Sequence, residues 1–536
     1  LIRTPRGLAA RITGLAGALA LAAAAATAVT VATTTAPAYA AGAGTGFLSA
    51  SGAHLVDSTG ATVRLTGLNW FGMETDNKTF HGLWANVTWR SMMDHMAQLG
   101  YNTIRIPYTD DALRPGAQAT SVNTFTNPDL VGLSPLQILD KVIDYAGTKG
   151  MRVFLDRHRP TAAGQTALWY NAATPESLWI SNMQMLATRY RSNPTVVGID
   201  LHNEPHADGT EPQSTGSCWG CGDTTRDWRL AAERAGNAVL QSNPDWLIIV
   251  EGISCLSGGN ANIWDNIPDA PCGWWGGNLS GARQFPVRLS KPSKLVYSAH
   301  EYGLSVFHQT WFDDPAFPNN LPAIWNNMWG YLVQQNIAPV LIGEFGSTLA
   351  DPKDATWLRA LMQYMGPGTG GMSFTYWSWN PDSGDTGGIV QDDWVTVNQN
   401  KQTILQPFLI PPVAPAGGGP GGGTTAPPPT TSCSATVHID NSWQGGFQAS
   451  VTVRNTGTAA VTPWTATWAM PAGATLNNGW NATVTQGSDG TVTAAAPSHA
   501  QSLAAGASAT VGFTANGALG AGPTGVRLNG TACTAG

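Results

Sequence analysis

Val196-Val-Gly-Ile-Asp-Leu-His-Asn-Glu-Pro205 is an apolar, β-branched run that breaks into a burst of polar side chains and is stopped by a proline. A short run of this kind reads as a strand buried on both faces, as in a parallel sheet. Its strand part spans Val196–Asn203, and the same shape recurs on both sides of it. Val63–Trp70, Thr103–Tyr108 and Arg152–His158 precede it; Leu247–Glu251, Leu295–Tyr302, Pro339–Phe345 and Ser373–Trp379 follow. Between many of them lie segments with helical periodicity, among them Thr88–Leu99, Leu136–Thr148, Pro175–Tyr190 and Thr225–Gln241. Eight alternations within residues 41–410 predict an α/β chain folded as a (β/α)8 TIM barrel. A doubly wound open sheet would need a Gly-rich phosphate turn after its first strand. Leu68-Asn-Trp-Phe-Gly72 is not one.

In such a barrel the chemistry sits at the C-terminal ends of the strands. The polar and aromatic residues expected there are Arg105, His158, Asn203, Glu204, His300, Tyr302, Glu344 and Trp377. Two are carboxylates, Glu204 after the fourth strand and Glu344 after the seventh. A rigidly held carboxyl pair is what hydrolysis of a glycosidic bond requires, one protonated to release the leaving oxygen and one ionised to attack or to activate water. Glu344 is expected to stay ionised beside Arg105, and Glu204, without such a cation, to keep its proton longer. His202 and His206 flank Glu204, but a His-Glu-x-x-His zinc pattern is absent and Pro205 forbids a continuing helix. His202 is therefore read as barrel-facing structure, and no metal or cofactor is expected.

Beyond the barrel, residues 411–432 hold seven Pro, six Gly and no charge. Such a stretch cannot bury a core and acts as a spacer reaching at most ~70 Å, at ~3.1 Å per residue. Residues 433–536 alternate Thr, Val, Ala and Gly between turn signals, with only Asp440, Arg454, Asp489 and Arg527 charged. This segment reads as an all-β sandwich. At the other end, Arg3, Arg6 and Arg11 precede an Ala/Leu-rich stretch and then Ala38-Tyr-Ala40. Residues 1–40 thus read as an export signal, and the protein as secreted, with no stable membrane association once the signal is cleaved.

Without those 40 residues the chain carries 24 Lys+Arg against 34 Asp+Glu. That balance argues against nucleic acid as a partner. Few charges and 22 Trp suit a neutral ligand with flat apolar faces, such as a sugar. Six cysteines fit an oxidising compartment. The pairs expected are Cys218–Cys221, Cys255–Cys272 and Cys433–Cys533, the last worth ~4–5 kcal/mol because it closes so long a loop.

Ile199-Asp-Leu-His-Asn-Glu-Pro205 and Ile342-Gly-Glu-Phe-Gly346, in this order and on these strands, resemble glycoside hydrolase family 5 over about residues 46–408. The pattern is most similar to actinobacterial endoglucanases of that family. The resemblance implies Glu204 as acid/base and Glu344 as nucleophile. It implies that Asn203 binds the sugar 2-hydroxyl and that Arg105 and Tyr302 orient Glu344. His158 and His300 would line the same subsite, and Trp377 would stack under the sugar. Trp84 and Trp275 are candidates for flanking subsites.

The C-terminal segment resembles family 2 carbohydrate-binding modules. The matching features are its flanking cysteines, Asn441-Ser-Trp-Gln-Gly-Gly-Phe447, Pro463-Trp-Thr-Ala-Thr-Trp468 and Asn478-Gly-Trp-Asn481. Trp443 and Trp480 map to the cellulose-binding platform, and Trp464 and Trp468 to buried positions. Near Pro497–Gln501, where a third platform aromatic is expected, there is no Trp or Tyr; His499 is the candidate substitute.

The expected function is that of a retaining endo-β-1,4-glucanase, acting by double displacement through a covalent glycosyl-enzyme. Cellulose and soluble β-glucans are the expected partners, and a monomer is the expected state. The alternatives are an endo-β-1,4-mannanase or other β-glycanase of the same fold, and a non-catalytic cellulose-binding protein.

Overall fold

The computed structural model describes residues 42–261, 272–414, 432–457, 461–497, 500–503, 507–520 and 522–535. Residues 1–40, read from sequence as an export signal, residues 415–431 of the expected spacer and His499 lie outside the described residues. Two compact units divide between Gly418 and Gly419, and each is described by itself.

The first unit is a closed barrel of eight strands. They are β1 (Thr66–Asn69), β2 (Thr103–Thr109), β3 (Arg152–Arg159), β4 (Val196–Asp200), β5 (Leu247–Glu251), β6 (Leu295–Tyr302), β7 (Val340–Gly346) and β8 (Ser373–Tyr376). Each pairs in parallel with its sequence neighbour, and β8 closes on β1. The helices between them begin where local chemistry caps them. Thr88 accepts from the Ser91 N–H, Ser134 and Gln137 form a reciprocal capping box, and Asp227 accepts from the Leu230 N–H. Each such cap satisfies main-chain donors that the first turn leaves unpaired.

The first strand differs from the expected Val63–Trp70. Thr62–Val63 belongs to a separate three-stranded antiparallel sheet, and the barrel strand begins only at Thr66. Between them the buried Arg64 donates to the carbonyl oxygens of Met372 and Gly368, which ties this break to the last β/α unit.

Inside the barrel the side chains change character from floor to mouth. Phe154, Leu247, Ile249, Val296 and Leu341, near the strand starts, pack with Leu55 and Val63 of the small sheet and with Leu48 just before it. Further along the strands the buried residues become Arg105, Asp156, Asp200, Glu251, His300 and Glu344. The apolar floor is the rigid base on which the charged mouth is built.

The second unit consists of two five-stranded sheets. Phe447, Val451, Trp468 and Phe513 fill the core between them. Trp464 and Trp468 are buried, as the resemblance implies. All three disulfides have the expected partners, Cys218–Cys221, Cys255–Cys272 and Cys433–Cys533. Among the described residues, no helix is long and apolar enough to cross a membrane.

Candidate active site

Strand β4 ends at Asp200, but the chain after it stays pinned to its neighbours. The Leu201 N–H donates to the Ile249 carbonyl and the Asn203 N–H to the Arg157 carbonyl. Glu204 then turns with φ +50°, a left-handed conformation that costs a non-glycine residue about 1 kcal/mol or more. Its main chain is held at both ends: its N–H donates to Glu251 Oε2 at 2.7 Å, and its carbonyl lies 2.7 Å from His206 Nδ1. On β7 the register shifts between Ile342 and Glu344, a bulge of the kind that re-aims a side chain beside a site.

These two features bring the carboxyl groups together over one cleft of about 870 Å³. A carboxylate oxygen of Glu204 and one of Glu344 lie within 4.8 Å of each other and of His300. Glu204 is bonded to His300 Nδ1 at 3.0 Å and accepts from the Gln165 amide at 2.8 Å. Glu344 accepts from the Tyr302 hydroxyl at 2.5 Å and from Arg105 Nη1. The same three ligand atoms could hold a metal ion, but each already has a protein partner.

Arg105 is wholly buried and shared. Its Nη2 lies 3.2 Å from Asp156, 3.1 Å from Asp200 and 3.0 Å from Glu251, and donates to Asn203 Oδ1 at 2.9 Å. Arg105 and His300, grouped from sequence with the sugar-binding residues, therefore lie beneath the cleft and orient those that line it. His158, Asn203, Tyr302, Trp377 and Trp275 do line it. The Trp377 ring lies nearly parallel to those of Phe71 (5.3 Å, 8°) and His158 (5.5 Å, 10°). Trp275, 47% exposed, stacks on His206 at 3.7 Å. Trp84 is not among the lining residues; it packs edge-on against His81, which pairs with the lining residue Asp382 at 2.8 Å. His202 is fully buried, between Arg157 and the Thr166 carbonyl.

Burial and charge push the two carboxyl groups in directions opposite to those expected. Burial pushes Glu344 above the usual carboxylate range, and the opposing His300 and Arg105 charges do not offset it. Arg105 is a weak partner for any one acid because four carboxylates divide it. Burial also works against the Glu204 charge, but the His300 hydrogen bond and charge outweigh it and hold Glu204 low. His300 itself stands well above its ordinary value: burial disfavours the imidazolium, yet the Glu251 and Glu344 charges and the bond to Glu204 prevail. His158 is driven by burial down to about 4 and is neutral, 2.6 Å from Asp156 through Nδ1. Burial, against the Arg105 charge, pushes Asp156 up to about 7, and burial with Glu251 repulsion raises Asp200 further.

Gln165, Asp156, Asp200, Glu251 and His206 are the members that sequence reasoning missed. Two carried a usable signal. Asp156 stands two residues before His158 on one strand, so both share a face. Glu251 closes an apolar strand at the functional end, as Glu204 and Glu344 do.

On the second unit, Trp443 (49% exposed) and Trp480 (37%) are set on one sheet face. Trp443 pairs across to Gly446 and on to Asn516; Gly512, four residues earlier on that strand, pairs with Trp480. Even residue spacing keeps all of them on one side. A Cβ at Gly446 would come within 2.7 Å of the Trp443 ring, and one at Gly512 within 2.2 Å of Trp480. Each indole thus lies down over a glycine of the neighbouring strand.

Residues 56–383 match the family described as cellulase (glycosyl hydrolase family 5). The chain belongs to glycosyl hydrolase family 5. Residues 433–533 of this family 5 protein match a second family, the cellulose binding domain. An endoglucanase of Paenibacillus polymyxa is 48% identical over 373 residues, covering 69% of this chain and 89% of that one. The major extracellular endoglucanase of Xanthomonas campestris pv. campestris is 40% identical over 484 residues, 86% of this chain and 93% of its own. Among solved structures, a cellotetraose complex of the Pyrococcus horikoshii endocellulase aligns with TM-score 0.61 and 39% identity, over 68% of this chain and 98% of that one.

Proposed function

We propose that the protein is a secreted, retaining endo-β-1,4-glucanase, with Glu344 as nucleophile and Glu204 as acid/base. The reading rests above all on Glu204 and Glu344 meeting over one cleft, with an oxygen of each within 4.8 Å of the other. Retention calls for such a close pair, ~5–5.5 Å between the carboxyl groups, where an inverting pair leaves ~6.5–9.5 Å for a water molecule. The named relatives act on, or are solved with, β-1,4-glucan material, and a cellulose binding domain in the same chain fits that substrate.

In the first step the Glu344 carboxylate attacks C1 of the sugar while Glu204 gives its proton to the departing glycosidic oxygen, leaving a glycosyl ester on Glu344. In the second, the Glu204 carboxylate takes a proton from water, the water oxygen attacks C1, and the ester bond breaks. The first step needs Glu204 protonated and Glu344 ionised, and substrate favours both. A glycosidic oxygen beside Glu204 accepts a hydrogen bond from the protonated acid and so favours that form. Positive charge developing at C1 favours ionised Glu344. Asn203 would hold the 2-hydroxyl, and Trp377 would carry the sugar face. Trp275 would extend the cleft on the side of His206.

Trp443 and Trp480 would lie flat on cellulose, where rigid rings gain apolar contact at little entropic cost. The reading is tested by release of reducing ends from carboxymethylcellulose, mannan and xylan. The glucan is expected to be cleaved well ahead of the other two, and Glu344→Gln to abolish the activity. Preferred cleavage of mannan would overturn the substrate assignment.

A further inference from the structure

Glu251 has no place in the reaction just described, yet it touches the parts that run it. It is fully buried at the end of β5, and its own carbonyl is fixed by the Trp228 indole N–H at 2.9 Å. Oε2 accepts the Glu204 N–H at 2.7 Å. Oε1 accepts from Arg105 Nη2 at 3.0 Å and stands 3.2 Å from His300 Nε2, an ion-pair contact out of line for a hydrogen bond. Gly276 covers the carboxylate: a Cβ there would fall 2.4 Å from Oε2 and 3.4 Å from the Glu204 Cα. The loop beside Trp275 is thus shaped to leave this acid its place.

Two consequences follow from the geometry. The left-handed turn at Glu204 needs its N–H satisfied out of water, and Glu251 is the acceptor. With the carbonyl held by His206, the Glu204 peptide is gripped from both sides, which fixes where its side chain starts. On the other oxygen, a negative charge behind His300 keeps the imidazolium in place, so that Nδ1 faces Glu204. The groups facing Glu251 are Arg105, His300 and the Glu204 main chain, with the Asp156 and Asp200 charges also felt there.

We propose that Glu251 is a positioning residue of the hydrolytic site, clamping the Glu204 main chain with one oxygen and holding His300 in place with the other, so that the acid/base is aimed into the cleft. The proposal rests on Glu204 being the acid/base.

Glu251→Gln tests it. The amide keeps the shape but offers one acceptor where two are used, and it removes the charge. With cellotetraose, kcat is expected to fall by about 10–100-fold with KM little changed, a fraction of what a general acid contributes. With 2,4-dinitrophenyl β-cellobioside, whose leaving group needs no proton, the loss should be several times smaller. Losing a nearby negative charge lowers the proton affinity of His300 and Glu204, so the alkaline limb of kcat/KM should move down by about one pH unit. A merely structural role would lower both substrates equally and leave the limb in place, and that result overturns the proposal, as does unchanged activity.

Should the amide fail to fold, Gly276→Ala, which pushes a methyl group onto Oε2 without removing charge, is expected to show the same substrate-dependent loss with the limb unmoved. Full activity of that variant on cellotetraose overturns the clamp. Glu204→Gln is run beside both. If it loses the two substrates equally, the acid/base assignment itself has failed, independently of Glu251.

Discussion

Replacing Tyr302 with phenylalanine removes one hydroxyl that donates to Glu344 Oε2 at 2.5 Å in a buried setting. A hydrogen bond to a charged group contributes about 1.5–3 kcal/mol. The hydroxyl stabilises the ionised carboxylate and not the protonated one, so its loss raises the Glu344 pKa. At 1.36 kcal/mol per unit the rise is about 1–2 units. Arg105 and the His300 charge remain in contact, which places the expectation near the lower figure. Glu344 must be ionised to attack, so the variant loses activity on the acid side first. The assay is kcat/KM against pH on carboxymethylcellulose, where the acid limb should climb by about one unit while the alkaline limb stays. A uniform loss at every pH, with the acid limb fixed, would refute the reasoning and make Tyr302 a contact for sugar alone.

Glu204→Gln should cost about 10²–10⁴-fold on cellotetraose and far less on 2,4-dinitrophenyl β-cellobioside, read from initial rates on each. Trp443→Ala with Trp480→Ala should leave the rate on carboxymethylcellulose intact and lower activity on insoluble cellulose by about tenfold or more at low enzyme loading, because confinement near the surface is lost. A chain ending near Ile410 should behave the same way; loss of soluble activity in it would place the second unit in the catalytic machinery. Cys433→Ser with Cys533→Ser releases a cross-link between residues 100 apart and should cost the second unit about 4–5 kcal/mol, seen as loss of cellulose binding at lower denaturant.

The barrel was legible because each strand is a buried apolar run ending in polar residues, and a parallel sheet leaves that mark in local sequence. Val196–Asp200 and Leu247–Glu251 show it plainly. The break at Arg64 was not legible: the carbonyl groups that hold its guanidinium belong to Gly368 and Met372, some three hundred residues on. Glu204 and Glu344 were found because each falls at the polar end of an apolar strand run. Asp156 offered only the face it shares with His158, and the role it has with Asp200 depends on one arginine reached from four directions, which no local pattern reports. The directions in which the two carboxyl groups shift were out of reach for a related reason. From sequence, Arg105 was an undivided charge beside Glu344, whereas four carboxylates share it and the imidazolium sits closer to Glu204. The place of Trp84 was not legible for a different reason, since an aromatic loop residue looks alike whether it faces the cleft or stands beside it.

The described residues of the first unit begin and end at one spot. A Cβ on Gly42 would come within 2.8 Å of the Val413 main-chain nitrogen, and Ile410 donates its N–H to the Thr66 hydroxyl at the foot of β1. A chain whose ends meet is close to a loop, and the choice of where it is cut becomes arbitrary to the fold. Joining Gly42 to Val413 through a few flexible residues and reopening the backbone at an exposed turn, such as Gly116 or Gly132, should yield a circular permutant with the same barrel. In such a rearranged protein the strand that now enters the barrel last could be synthesised first, and a fused domain could be hung from the rim in place of the floor.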